Sequence, residues 1–559
     1  MIQIQSSSGR WAPLVARIEA FLAADTIALH VGGHAVTGFR SPDSPALWIR
    51  DHADILRGGV YTTPDVWSAV EAFARAQGRD GRVFDFVTTQ PTPTARENWE
   101  TWVRVPVEAD VEYRFVQAAF LAWRASADTA RLARMLPALD AALVYTTTDP
   151  ERWCAGEGLV MRAYTIDTWD FDYTAHRAPW LNFQITGDTF WGLSHADNSG
   201  LFEAMHRLAR LYDAARESGD VYASNARARA DHWRAAADAL RARATARLWN
   251  GRHYTHFVPL TPGTEIDGVD AARQLSLSTP MAVNRGLADA AMGRAIADEY
   301  AARGAAPSTA AGFEHAPPFA PWFSIDPPFP TGTFGDDKLV PGAYVNGGIL
   351  PLVGGELALA ALTCGREAFG VAQLDTYARL VAETGASYLW YFPDGTPSSV
   401  ETSTSPEALP TDGWGSAAML HALATGLAGV DDTGAGFAHV RLSPRWAAAG
   451  EDAADVRLAY AASGAALAYA YRHDAAARAV TLDVAEAPGT LDVRLLLPAG
   501  ATSATDAATG AALATERVDA SVYAHLPLTR AGSVAVRYAM AEDAPEAPAA
   551  TSETGGGRG

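Results

Sequence analysis

Between Trp11 and Ala24 the apolar residues Leu14, Val15, Ile18, Phe21 and Leu22 fall at three- and four-residue steps, the spacing of one helix face. The same period returns along most of the chain. It predicts helices near Pro64 to Gln77 (after the cap residues Thr62 and Thr63), Asp110 to Ala125, Thr129 to Val144, Gly200 to Ala215, and onward to about Trp249. Others are expected near Arg285 to Arg303, Glu356 to Cys364, Phe369 to Thr384, and from Gly413 to about Leu427. They read as hairpins of roughly a dozen helices, joined by loops rich in Gly, Pro and aromatic residues. A short β-like piece, Thr26 to Val31, interrupts them early. After Asp431 the period changes to two. Segments such as Ala465 to Arg472, Ala479 to Val484 and Leu491 to Leu497 lie between Gly, Pro and Asp turns, which predicts a small antiparallel β-sandwich over about 437–540. Residues 541–559, dominated by Ala, Glu, Pro and Gly, read as a disordered tail.

Charge changes the picture first. The 559 residues carry 44 basic and 64 acidic side chains, a net charge of −20. This balance argues against nucleic acid or an anionic membrane surface as partner. Two cysteines, Cys154 and Cys364, supply neither a disulfide framework nor a metal quartet, and no motif implies a cofactor. The amino terminus lacks the basic start and apolar stretch of a signal peptide, and no run approaches the ~20 apolar residues of a membrane span. A cytoplasmic protein is the expectation, with a homodimer left open. Sixteen Trp suit sugar-binding platforms as well as the gaps between long helices.

The residues with chemistry to offer lie in loops that precede helices, where they can meet on one face. Tyr164-Thr165-Ile166-Asp167-Thr168-Trp169-Asp170-Phe171-Asp172-Tyr173 sets three carboxylates among four aromatic rings. A buried strand does not tolerate Asp at that density, and a solvated loop has no need of the rings. The combination suits a partly desolvated carboxyl group with a raised pKa. It equally suits an aromatic loop whose aspartates cap helices and pair with Arg162, His176 or Arg177. Trp48-Ile49-Arg50-Asp51 places a guanidinium fork and an acceptor after an indole, able to bind two sugar hydroxyls or, more simply, to cap a helix. Trp99 and Trp102 flank polar groups, Asn346 opens Asn346-Gly347-Gly348-Ile349, and Glu401 stands between small polar residues ahead of Trp414.

Several of these segments resemble parts of the six-hairpin glycosidases. Thr168-Trp169-Asp170-Phe171 followed by Arg177 resembles the Gly-Trp-Asp-Phe…Arg loop of trehalases, inverting α-glucosidases and mannosylglycerate hydrolases, whose Asp is the general acid. Val400-Glu401-Thr402, thirteen residues before Trp414 in Gly413-Trp414-Gly415-Ser416-Ala417, resembles their base-bearing loop. Trp48-Ile49-Arg50-Asp51 is similar to the Trp-x-Arg-Asp sugar-binding element of glucoamylase-like enzymes. Tyr344 to Ile349 is similar to an Asn-Gly-Gly-Ile-Trp-Pro helix start, with Leu350 in place of Trp. The acid loop departs from the pattern in having Asp172-Tyr173 where Ser-Ser is usual, which makes Asp172 a rival acid; Glu407 is a rival base.

The resemblance implies a mainly α fold, an (α/α)6 toroid of helical hairpins with a small C-terminal antiparallel β-sandwich. Its parts would be a lead-in helix and β segment over 1–45, the catalytic barrel over 46–436, the sandwich over 437–540, and the tail. The implied reaction is hydrolysis of a small α-linked glycoside with inversion, by an exo-acting enzyme. Asp170, desolvated by Trp169 and Phe171, would be the acid; Glu401, beside Ser399, Thr402 and Ser403, would stay ionised as the base. These two are 231 positions apart, so only a closed barrel brings them together. Trp48, Arg50, Asp51, Trp99, Trp102, Trp169, Asp172, Asn346 and Trp414 are the expected contacts of a small carbohydrate substrate. Alternatives on the same barrel are a sugar phosphorylase, an epimerase or lyase using His52, His176 or His195, and a non-catalytic sugar-binding protein. Metal binding is not expected: helix capping accounts for His195 and Asp197.

Overall fold

A computed structural model describes residues 1–40, 46–89, 101–102, 108–166, 187, 189–217, 219, 225–305, 321–334, 338–399, 401–402 and 409–541. Helical periodicity in the sequence is realised in twelve α-helices among these. They are α1 (Trp11–Ala24), α2 (Ile49–Gly59), α3 (Ser68–Ala76), α4 (Val111–Ser126), α5 (Thr129–Thr148) and α6 (His195–Glu217). The rest are α7 (Ala226–Leu248), α8 (Thr279–Asn284), α9 (Ala290–Ala305), α10 (Pro351–Cys364), α11 (Glu367–Thr384) and α12 (Gly413–His421), which runs on through a π-helical turn, Ala422–Leu427.

The even-numbered helices close on themselves. Helix α2 packs on α4, α4 on α6, α6 on α8, α8 on α10, α10 on α12, and α12 returns to α2. The odd-numbered helices pack against this cycle: α3 on α4, α5 on α4 and α6, α7 on α6, α9 on α8 and α10, α11 on α10, and α1 on α12 and α2. Burial follows the same division. Helices α2 and α4 are buried at nearly every position. Helix α7 buries one stripe, Ala226, Ala230, Trp233, Ala237, Leu240, Ala244 and Leu248, whose steps of three and four leave an arginine-rich face to solvent.

Several helix boundaries differ from the sequence reading, and three of them have a clear physical reason. Gly354 and Gly355 were expected to precede a helix; instead α10 starts at Pro351 and contains both. A Cβ at Gly355 would stand 2.5 Å from the carbonyl carbon of Ala418 on α12, so the glycine permits close approach of two ring helices rather than ending one. Asp197, Asn198 and Ser199 were expected to cap a helix beginning at Gly200; α6 begins at His195 and holds them inside. The Asn198 side chain accepts from Val160 N at 3.0 Å and donates to Val160 O at 3.1 Å, and so ties α6 to the strand Leu159–Ala163. The helix expected over Arg285 to Arg303 begins later, at Ala290 of α9; the short helix α8 ends before it, and the chain turns at Gly286, whose φ of +79° suits glycine.

The period-two region forms two sheets. A six-stranded antiparallel sheet runs in the order Ile2–Ser6, Ala453–Ala459, Ala466–Asp474, Ala479–Glu486, Gly532–Met540, Ala501–Asp506. Its first strand comes from the amino terminus, with Ile4 opposite Val456. The five-stranded sheet runs Val430–Asp432, His439–Leu442, Thr490–Leu496, Ser521–Leu526, Thr515–Val518. One pair in it, His439–Leu442 with Thr490–Leu496, is parallel, so the expectation of a wholly antiparallel arrangement is corrected. Ser521 of this sheet donates to Glu367 of α11 at 2.7 Å. No described helix is long and apolar enough to cross a membrane.

Candidate active site

One cavity of about 500 Å³ is lined by the middle and last turns of all six ring helices, among them Arg57, Arg124, Arg207, Asn284, Thr363 and His421. The first turns of these helices therefore gather at the opposite end. Among the described candidates, Trp48, Asn346 and Glu401 precede α2, α10 and α12 in the chain.

At α2, the strand Leu47–Trp48 pairs with Phe86–Val87, and the Trp48 and Phe86 rings sit 4.7 Å apart. Thr101–Trp102 pairs on the other side of Phe86–Val87, so Trp48 and Trp102 both occupy strand positions opposite Phe86. Arg50 is buried at 3 % exposure. Its guanidinium donates to both oxygens of Asp110 at 2.6 Å and to Glu108. The fork that sequence alone offers to a sugar is thus held by carboxylates from the start of α4. That pairing compensates the large cost of burying a guanidinium.

From Asp110 the ionic chain continues. Arg114 lies 3.5 Å from Asp110 and donates to Asp54 at 2.6 Å. Asp54 also accepts from Gln117 at 3.1 Å and, on its other oxygen, from the Trp414 indole at 3.0 Å. The arginines around Asp54 hold its carboxyl far below the usual range despite burial. Trp414 is 4 % exposed, its one polar group spent on Asp54. Asn346 is also buried: it donates to Phe329 O and Leu339 O, each at 3.0 Å, and accepts from Phe329 N at 2.7 Å. Asn346 therefore fixes the loop that presents Phe329.

A second group of carboxylates surrounds the start of α12. Asp412 caps it, accepting from Trp414 N at 3.0 Å and Gly415 N at 2.9 Å, while Asp25 accepts from Gly413 N and Thr411. Asp51 completes the trio, buried at 5 % exposure. Burial raises the pKa of Asp25 to about 7, against the pull of these hydrogen bonds, and Asp51 adds to the rise. Burial, with Asp25 nearby, pushes Asp412 well up. Folded Asp25 keeps its proton up to about pH 7 while the unfolded chain releases it near pH 4, so this group costs stability as pH rises between the two. The slope is at most about 1.4 kcal/mol per pH unit. Asp25→Asn removes the dependence, so its thermal midpoint relative to wild type is expected to rise between about pH 5 and pH 7.5. Unfolding curves at both pH values check this; a pH-independent gap refutes it.

The strand Leu159–Ala163 leads toward the acidic-aromatic loop. Arg162 on it reaches Asp197 of α6 at 3.2 Å and donates to Thr165. Tyr164 stacks on Phe257 with centroids 3.9 Å apart and meets Phe329 edge-on at 6.5 Å. His256 and His195 are buried, and desolvation lowers each to about 3, so both are neutral at pH 7. Sequence reasoning did not single out Phe257, Phe329 or His256 as site residues. Phe329 was visible only as part of a Pro- and Phe-rich loop.

Glu401 is exposed, and a hydrogen bond from Ser399, followed by its own backbone N–H, holds its carboxyl below the ordinary value. Trp99, Trp169, Asp170, Asp172, His176, Glu407 and residues 542–559 lie outside the described residues, as does the side chain of Trp102. Among the described residues, no group of three or more His, Cys, Asp or Glu could hold a metal ion.

No family profile and no curated protein matches the chain. Solved structures do. The α-L-rhamnosidase from Dictyoglumus thermophilum superposes with a TM-score of 0.58 at 9% identity, over 96% of this chain and 50% of its own. A rhamnosidase of glycoside hydrolase family 78 from Bacillus sp. GL1 gives 0.56 at 15% identity, over 89% and 43%. The Streptomyces avermitilis α-L-rhamnosidase, complexed with L-rhamnose, gives 0.53 at 13% identity, over 96% and 42%. This chain shares its fold with glycoside hydrolases, and it spans half or less of the length of these three.

Proposed function

We propose that this chain is a glycoside hydrolase built on an (α/α)6 toroid. The ring over 46–436 is its catalytic part, and the β-sandwich over 437–540 supports it. Likeness in fold to rhamnosidases over nearly the whole chain carries this reading, because the acidic loops then precede two helices of one closed ring. Asp170 ahead of α6 acts as general acid on the leaving oxygen. Glu401 ahead of α12 draws a proton from water on the opposite face of the sugar. That division requires the two carboxyl groups roughly 6.5–9.5 Å apart and inverts the anomeric centre. The substrate is a small α-linked glycoside, cleaved from its end, and an α-L-rhamnoside is the first to try. Burial lowers the pKa of His52 to about 4 and of His195 to about 3, which makes both weak bases for an epimerase or lyase and places those readings second.

A panel of aryl α-glycosides tests the proposal, with the first-formed anomer followed by proton NMR. Release of the β-anomer is the expected result. An α-product would refute inversion, and turnover that requires phosphate would favour the phosphorylase.

A further inference from the structure

We infer that the cavity lined by the six ring helices binds a small oxyanion. Its volume, about 500 Å³, is that of an ordinary small-ligand site. Seven arginines and five carboxylates line it, in a chain whose net charge is −20. Some of these arginines are accounted for by the fold. Arg57 pairs with Glu356 and donates to Asp54 O, and Arg285 donates to Ala196 O at 3.1 Å and Ser199 Oγ at 3.0 Å. Cations are favoured at helix carboxyl ends, which explains such placements.

Arg207 is different, and Arg124, though it faces Asp432 and Asp431, keeps an unspent donor. Nη1 of Arg207, Nε of Arg124 and Nη2 of Arg114 are buried with no hydrogen-bond partner among the described residues. Arg207 reaches one acid, Glu203 at 2.6 Å, and faces the positive charges of Arg124, Arg285 and Arg57. Burial lowers its pKa to about 10, so it remains charged at neutral pH. The guanidinium carbons of Arg207 and Arg124 lie 5.2 Å and 5.7 Å from the centroid of the same Phe120 ring. Buried donors on like-charged groups call for an acceptor with several lone pairs and negative charge. A phosphate-like or carboxylate oxyanion supplies both. His421 on the same wall is neutral, its pKa held well down by burial and by the arginines.

Isothermal titration calorimetry on the full chain tests the inference, with inorganic phosphate and citrate as separate probes and chloride holding ionic strength constant. At least one probe is expected to give saturable one-site binding, and which one does so distinguishes a tetrahedral from a carboxylate ligand. Arg207→Gln should weaken that binding about tenfold or more, since hydrogen bonds to charged groups are worth that much. Arg210→Gln, on the exposed rim and so without consequence for folding, should weaken it several-fold. Arg227→Gln on the outer face of α7 should leave it unchanged. No saturable heat from either anion overturns the inference, as does wild-type affinity in both Arg207→Gln and Arg210→Gln. No sugar enters the measurement, so the result is independent of the hydrolase reading.

Discussion

Asp170→Asn is expected to lower kcat/KM on an unactivated glycoside by roughly 10²–10⁴-fold, the share of rate that a positioned proton donor contributes. The loss should shrink on a nitrophenyl glycoside, because a nitrophenolate leaves without prior protonation. Glu401→Gln should lose a comparable factor on both substrates, since water must be activated whatever the leaving group. The two profiles together separate acid from base. The pH dependence adds a sign. Ser399 holds Glu401 below the usual carboxylate value, so the wild-type acid limb should lie below the pH at which an ordinary glutamate titrates. Full activity in Asp170→Asn, or the same leaving-group dependence in both variants, would defeat these roles.

Asp54→Ala is expected to have the largest effect on stability of any single change in the ring, about 3–5 kcal/mol. Asp54 receives Arg114, Gln117 and the Trp414 indole, and Arg57 stands 3.6 Å away. Its removal leaves the Arg114 guanidinium and an indole N–H in the interior without this acceptor, and Arg57 with one counter-charge fewer, a larger penalty than the lost attraction itself. Asp54→Asn keeps an acceptor oxygen but not the charge, and should fall between alanine and wild type. Thermal unfolding of the three proteins decides it. A midpoint for Asp54→Ala equal to that of wild type would mean that Asp54 does not hold α2, α4 and α12 together.

How far the sequence could be read follows from the range of each interaction. Helix α7 shows its period in seven buried positions at steps of three and four, and a pattern of that kind needs no knowledge of the partner. Gly354-Gly355 misleads, because a glycine that ends a helix and one that admits another helix have the same letters; only the backbone of Ala418 tells them apart. Asp197 to Ser199 likewise look like a cap until the strand at Val160 is in place to engage Asn198. Trp48-Ile49-Arg50-Asp51 was legible as a charged, aromatic approach to a helix. That Arg50 would be taken up by Asp110 was not, because the two are 60 residues apart.

The sequence by itself determined that long helices alternate with irregular connections and that strands follow after Asp431. These are matters of period and of neighbouring side chains. Tertiary structure alone decided that six of the helices close into a cycle and that the strand Ile2–Ser6 joins a sheet formed more than 400 residues later. It also decided that arginines from separate helices converge on one cavity. Each of these depends on contacts between distant segments, whose geometry exists only once the chain has closed and excluded water.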